Sequence, residues 1–257
     1  MKLLADHRWP WPAVIAHRCG GMSAPENSIE GLVRAHAIGC RGAEFDAMLA
    51  ACGTPVLMHD ETLDRTTVGR GRVDATAWTT LAATALRTRD GGVSQEGVPS
   101  LDMALAACRR LGMAANVEIK PSAGADVDTG RIVAQRTARA WRGAGVVPPL
   151  LSSFSMPALE AAAAAAPDLP RALLLETVAQ DSIARAVRLG CVALVVERRC
   201  LTRTLIDAVH HAGLGLAIYT ENDSRAGRQA LAEGLDALIT DWPERFSAST
   251  GDSVGAP

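Results

Sequence analysis

The sequence predicts an α/β protein, a (β/α)8 TIM barrel with a β-hairpin and loop insertion after its second strand. Three observations carry this. From residue 100 onward, short apolar runs alternate with amphipathic stretches of helical period, the pattern of an all-parallel sheet. Counted from Ala13, and with the hairpin set aside, there are eight strand–helix units, the number that closes a barrel. Polar residues also gather where these strands end, which is where such barrels build their sites.

The first strand, Ala13-Val14-Ile15-Ala16, ends at His17. Residues 18–28 form a loop with Gly20, Gly21, Ser23 and Pro25; Ser28 caps a helix that runs to about Ile38 and stops at Gly39. The second strand is 42–48. A parallel strand needs a crossover of a dozen or more residues, and only about six separate Met48 from Pro55. The extended segment 55–58 must therefore return antiparallel, which drops His59 back beside the second strand. Residues 60–98 are polar and irregular, a loop with one short helix near 75–86 that elaborates the site. After it, helices at 100–111, 126–142, 156–166, 179–189, 202–212 and 223–233 alternate with strands at 115–119, 150–153, 171–175, 192–196, 214–219 and 236–240. Residues 1–246 are read as one barrel domain with an insertion at about 49–98, and 247–257 as a disordered tail.

Composition narrows the function. A formal net charge of -2 argues for neither a nucleic-acid groove nor an anionic membrane surface. No apolar run reaches the ~18 residues of a membrane span, and residues 1–11 lack the apolar stretch of a signal peptide. The six cysteines are scattered without a CxxC spacing, as reduced thiols of a cytoplasmic protein would be. Of 26 basic residues only Lys2 and Lys120 are lysines. A lysine in Glu118-Ile119-Lys120, in a chain that otherwise uses arginine, points to a need for a compact point charge.

The chemistry centres on Gly42-Ala43-Glu44-Phe45-Asp46-Ala47-Met48. In a strand, residues i and i+2 share a face, so Glu44 and Asp46 aim into one space. A solvated acidic face would look the same in isolation. The other strand ends favour a site: His17 and Arg18, His59 and Asp60, Glu118 and Lys120, then Ser152, Glu197, Tyr219 and Asp241. Glu44, Asp46 and Glu118 can surround one cation, and oxygen-only ligation favours a hard divalent ion, Mg²⁺ or Ca²⁺. Arg18 and Lys120 add two positive charges whose simplest joint target is a phosphate. Two histidines, His17 and His59, then serve as general acid and base, and the set points to attack on a phosphodiester.

These residues, in order, resemble a known family. His17-Arg18, Pro25-Glu26-Asn27-Ser28, Glu44-Phe45-Asp46, His59-Asp60 with Arg65-Thr66-Thr67, Glu118-Ile119-Lys120, and Thr240-Asp241 before Pro243 are similar to the motifs of the glycerophosphodiester phosphodiesterases, from about residue 13 to 245. The resemblance implies a TIM barrel that uses a divalent cation to hydrolyse glycerophosphodiesters, such as glycerophosphocholine or glycerophosphoethanolamine, to sn-glycerol 3-phosphate and an alcohol. It implies Glu44, Asp46 and Glu118 as metal ligands, His17 and His59 as the acid/base pair, and Arg18, Lys120 and Tyr219 as substrate contacts. Related phospholipases suggest that a substrate hydroxyl attacks first, giving a cyclic phosphate that water opens.

The sequence departs from the family at several places. Cys19 stands where Gly is usual, which is costly if that backbone has positive φ, and it puts an oxidisable thiol near the metal. Tyr219 replaces a common Trp, Glu221 replaces an apolar residue on the alcohol side, and 87–98 is short and without aromatics, so a reduced lid over the glycerol is expected. Ser28 for Thr is minor. Two competing readings are a phosphodiesterase for lysophospholipids or phosphoinositols, with Trp9, Trp11 and Trp78 as an apolar ramp at the mouth, and a binder without catalysis.

Overall fold

The structure, a computed structural model, describes residues 9–143 and 147–246. The expected tail at 247–257 lies outside the described residues. Eight parallel strands close a barrel: β1 (Val14–Ala16), β2 (Gly42–Leu49), β6 (Ala114–Ile119), β7 (Leu150–Ser153), β8 (Arg171–Leu175), β9 (Ala193–Glu197), β10 (Gly215–Tyr219) and β11 (Ala237–Thr240). Closure is made by β1, which pairs with β11 on one side and β2 on the other. Helices α1 (Ile29–Ala37), α3 (Leu101–Leu111), α4 (Asp126–Trp141), α5 (Met156–Ala165), α6 (Ser182–Arg188), α7 (Arg203–His211) and α8 (Ser224–Ala232) form the outer layer.

Each core layer follows from strand periodicity. One set of strand side chains, including Phe45, Val117 and Leu151, packs outward against the helices. The other set points inward and is aliphatic, mixing alanines with larger side chains: Ile15, Ala172, Leu174, Val195, Ala217 and Ile239. Trp11 belongs to this inner cluster, is almost fully buried and donates from its indole N–H to the Pro148 carbonyl (2.9 Å). Trp9 meets it edge to face, and both border a crevice with Ile15, Gly42, Ala114 and Leu150, near the starts of the strands. The N-terminal tryptophans therefore plug the floor of the barrel and form no ramp at its mouth. Trp78, the third residue of that reading, packs on the apolar cluster of the insertion.

The insertion begins as loop length requires. The last residues of β2 run past the barrel, and β3 (Pro55–Leu57) returns antiparallel, pairing Ala47 with Leu57 and Leu49 with Pro55. The rest of the insertion is more ordered than a loop. The short helix α2 (Trp78–Ala83) leads into an antiparallel ribbon, β4 (Ala85–Arg87) and β5 (Val93–Gly97), with an irregular register. Met48, Val56, Leu63, Val73, Leu81, Leu86 and Val98 give this region its own core. The ribbon escapes a pattern search because it is short and its residues do not alternate cleanly between apolar and polar.

The ribbon also secures α1. Ser28 caps the helix by accepting from the Gly31 N–H (2.9 Å), as its position predicts. The Glu96 carboxylate, from β5, accepts from the N–H groups of Ile29 (2.6 Å) and Glu30 (3.0 Å), where helix polarity favours an anion. Against this fixed helix lies the loop after β1. Gly20 and Gly31 cross so closely that a Cβ on Gly31 would sit 2.9 Å from the Gly20 nitrogen and 3.1 Å from the Cys19 Cβ. Alanine normally favours a helix by ~1 kcal/mol over glycine, whereas overpacking of this kind costs about 1–3 kcal/mol. Gly31→Ala is expected to lower the melting temperature. A melting temperature equal to or above that of the parent would mean that this loop yields freely.

Candidate active site

The strand register assembles the acids. Glu44 and Asp46 on β2 lie beside Asn116 and Glu118 on β6, and Glu118 lies beside Ser152 on β7. Carboxylate oxygens of Glu44, Asp46 and Glu118 all fall within 4.8 Å of one another. Burial first, then the neighbouring carboxylates Asp46 and Glu118, pushes Glu44 well above the usual carboxylate range; burial and Asp46 raise Glu118 to about 7. One oxygen of Glu44, Oε1, is buried without a hydrogen-bond partner, and the donor set is oxygen only. These are the properties of a site that can hold a hard divalent cation.

Asn27 holds the middle acid in place. Its amide donates to the Asp46 carboxylate (2.9 Å) and accepts from the Asp46 backbone N–H (3.1 Å), while its backbone takes φ +55°, which asparagine tolerates. In the sequence Asn27 stands inside a motif, with nothing to mark this role.

The eight residues to which the resemblance assigns roles, His17, Arg18, Glu44, Asp46, His59, Glu118, Lys120 and Tyr219, line one cavity of about 530 Å³ at the ends of the strands, with Ser152 and Glu197; Asp60 and Asp241 do not line it. Lys120 places Nζ 3.2 Å from Glu118 and 3.5 Å from Asp46. Burial opposes its charge, but those two carboxylates outweigh burial and hold its pKa above normal. Arg18 donates through one terminal nitrogen to Glu26 (2.6 Å), and its Nε, 3.8 Å from Asp46, is buried without a hydrogen-bond partner. Arg18 also lines the cavity, which puts its positive charge beside any anion bound there.

Each histidine is backed by an acid. His17 Nδ1 is 2.7 Å from Asp241, and Asp241 also accepts from Asn222 (2.9 Å). His59 Nδ1 is 2.7 Å from Asp60, which Arg65 grips through two nitrogens (2.7 and 2.9 Å). With Nδ1 engaged, each ring has Nε2 left for the cavity; that of His17 lies 3.9 Å from Glu44. Burial first, and then Arg18 and Lys120, pulls the His59 pKa below its ordinary value against the opposing pull of Asp46 and Asp60. Burial would raise the Asp241 pKa, but its contacts with His17, Asn222 and Arg89 together outweigh burial and hold it at about 2.

The departures resolve individually. Arg18 and Cys19 both have positive φ, +49° and +75°. The suspected strain at Cys19 is present, of order 1–2 kcal/mol for a non-glycine residue. The thiol itself is fully buried in the barrel–helix layer with Cys108 nearby, and burial pushes its pKa well up. It is a shielded thiol, so the expectation of an oxidation-sensitive cysteine at the metal is corrected. Glu221 is buried away from the cavity and accepts from the Asp223 N–H (2.7 Å), so it does not alter the alcohol side. Tyr219 does line the cavity, edge to face with Phe154 at 5.8 Å, its hydroxyl donating to the Leu175 carbonyl (3.2 Å). No residue of 87–98 lines the cavity; Arg89 and Glu96 of that stretch support the loop and helix behind it. All six cysteines are free, and no helix among the described residues is long and apolar enough to cross a membrane.

Burial of Glu118 makes a cation and protons competitors. The raised pKa means that folding favours its neutral form, so its contribution to metal-free stability is present below pH about 4.5 and lost as pH rises through about 7. His59, shifted down, changes in the opposite sense, so metal-loaded and metal-free protein should be compared at each pH. The rise in melting temperature on adding Mg²⁺ or Ca²⁺ is expected to be larger at pH 7.5 than at pH 5.5. An equal or smaller rise at pH 7.5 would contradict a cation on these acids.

Comparison with known proteins agrees with this geometry. A phosphodiesterase from Oleispira antarctica, solved in complex with the product sn-glycerol-3-phosphate, superposes with a TM-score of 0.81 at 30% identity, covering 92% of this chain and 95% of that one. The glycerophosphodiester phosphodiesterase of Caldanaerobacter subterraneus subsp. tengcongensis is 27% identical over 238 residues, 90% of this chain and 94% of that protein. Glycerophosphodiester phosphodiesterase 1 of Bos taurus is 49% identical over 61 residues, a match spanning only 18% of that protein's length. The pattern of the glycerophosphoryl diester phosphodiesterase family matches residues 17–245, and the chain belongs to that family.

Proposed function

We propose that this protein hydrolyses glycerophosphodiesters to sn-glycerol 3-phosphate and an alcohol, with a divalent cation on Glu44, Asp46 and Glu118 and with His17 and His59 as the acid/base pair. The observation that carries this reading is the convergence of three carboxylates, two acid-backed histidines, an arginine and a lysine on one cavity. The product bound by the Oleispira antarctica relative supports the same substrate class. The bound cation would neutralise charge on the phosphoryl oxygens as the transition state forms.

The chain's own residues supply the rest. Arg18 and Lys120 bind the phosphate from two sides, Arg18 through the nitrogens that Glu26 does not occupy. His59, buried and pulled toward the neutral form, accepts at Nε2 the proton of the attacking glycerol hydroxyl, so that a cyclic phosphate forms as the alcohol leaves and water then opens it to sn-glycerol 3-phosphate; Asp60 fixes the tautomer by holding Nδ1. His17 donates a proton from Nε2 to the leaving alcohol, and the Asp241 carboxylate orients the ring by holding Nδ1. Tyr219 and Phe154 provide a rigid aromatic wall for the organic part of the diester. Trp9 and Trp11, two of the three tryptophans offered as a ramp for lysophospholipids, lie on the barrel floor, which favours small diesters such as glycerophosphocholine as substrates.

Purified, cation-loaded protein is expected to release sn-glycerol 3-phosphate from glycerophosphocholine or glycerophosphoethanolamine, and EDTA to stop it. Turnover on dispersed lysophospholipid exceeding that on every soluble diester would reverse the substrate choice. His17→Ala and His59→Ala are each expected to lower kcat by roughly 10²–10⁴ with little change in cation affinity. Glu44→Gln should weaken cation binding first and activity as a consequence. An Asp46→Asn/Glu44→Gln double variant that remains active without added metal would refute the ligand assignment.

A further inference from the structure

Behind the cavity lies a charged cluster to which the reaction assigns no task. Glu26 is only 6% exposed, yet three arginines donate to its carboxylate: Arg18 (2.6 Å), Arg65 (2.5 and 3.0 Å) and Arg89 (2.7 Å). A simple ion pair would need one cation. The excess has a pattern, because Arg65 is shared. Its guanidinium faces Glu26 with both terminal nitrogens and reaches Asp60 with Nε (2.7 Å) and one terminal nitrogen (2.9 Å). Asp60 in turn holds His59 Nδ1. A continuous chain therefore runs from Arg18 through Glu26, Arg65 and Asp60 to His59. Both ends line the cavity and none of the three middle members does.

We propose that Glu26 and Arg65 are positioning residues that fix the phosphate-facing guanidinium of Arg18 and the imidazole of His59 relative to each other. The proposal rests on the phosphodiesterase reading for what the two ends do, but the chain itself is geometric. Fork geometry explains the residue types: a planar guanidinium can engage two carboxylates at once, whereas a lysine at 65 would keep the charge and serve one of them. Glu26 also receives Arg89 from the β4–β5 ribbon, and Arg89 donates to the Gly21 carbonyl (3.3 Å) in the loop after His17 and Arg18. The insertion thus acts as a buttress. A displacement of about 1 Å at a reacting group can cost about 10²-fold in rate, so loosening this chain should be visible in turnover before it is visible in folding.

A double-mutant cycle on a soluble glycerophosphodiester tests it. Arg65→Lys changes a half-exposed side chain and should fold. It is expected to lower kcat by about 10–100-fold with less than a threefold change in KM. In a His59→Ala background the same substitution should have no further effect on kcat, because its influence passes through that ring. Equal effects in both backgrounds would mean a general structural role and would overturn the proposal. Calorimetry with inorganic phosphate reads the Arg18 end without turnover. Folded Glu26→Gln should bind phosphate about tenfold more weakly than the parent, and unchanged affinity would overturn that half of the chain. If the parent protein turns over no diester while Glu26→Gln still weakens phosphate binding, the phosphodiesterase reading fails and the positioning chain stands.

Discussion

The structure depends on one unfavourable arrangement, three carboxylates held within 4.8 Å of one another inside a barrel. Each costs free energy on burial and each repels the others. Nothing in the local backbone can remove that cost, because the pleat of β2 and its register with β6 force the side chains together. The surroundings answer it with charge. Lys120 lies against Glu118 and Asp46, the Arg18 backbone N–H donates to Glu44 (3.0 Å), and Asn27 satisfies Asp46 at two points. Glu44 still has an oxygen without a partner. A divalent cation would complete that set better than a further side chain, since it could satisfy several carboxylate oxygens at once.

The same constraint explains the tight turn after β1. To donate to Glu44 the backbone must bend sharply at Arg18 and Cys19, and both residues take left-handed φ. The Cys19 N–H donates to the Glu44 carbonyl (2.7 Å), and the Gly20–Gly31 crossing presses the loop onto α1. Strain of this kind persists only where the surroundings overdetermine it. Here they do, through Ser28 and Glu96 at the start of α1 and through Arg89 on the Gly21 carbonyl. His17 and Arg18 gain fixed positions as a result.

Much of this was legible in the sequence because it obeys short-range rules. The period of two placed Glu44 and Asp46 on one face, and the six-residue gap after Met48 forced an antiparallel return that brings His59 to them. The barrel followed from the alternation of strands and helices. What was not legible depends on contacts across long separations. Glu26 meets Arg65 and Arg89 from 39 and 63 residues away; Arg65 stands in a motif that does not name its partner, and in a chain so rich in arginine nothing marks Arg89 apart from the rest. Trp9 and Trp11 illustrate a second limit. Their apolar character was plain, but which end of the barrel they cover depends on where the chain enters, and they cover the floor. Cys19 shows a third: the φ could be suspected from a missing glycine, whereas the direction of the thiol could not.

The uneven use of basic residues now has a physical reading. At Arg18 and Arg65 the guanidinium fork joins two partners that lie in different directions, Glu26 and the cavity for one, Glu26 and Asp60 for the other. An ammonium group could not span either pair. At Lys120 the requirement is the reverse. The charge must fit among carboxylates that already crowd one another, where a cation would compete with the ammonium for their oxygens and a phosphate would compete with those oxygens for the ammonium. A compact ammonium on a flexible stem can shift between Glu118, Asp46 and a bound phosphoryl group, whereas a planar fork would lock onto one carboxylate through two bonds. Arginine thus stands at Arg18 and Arg65, where one group joins partners in two directions, and lysine where a compact charge sits among crowded acids.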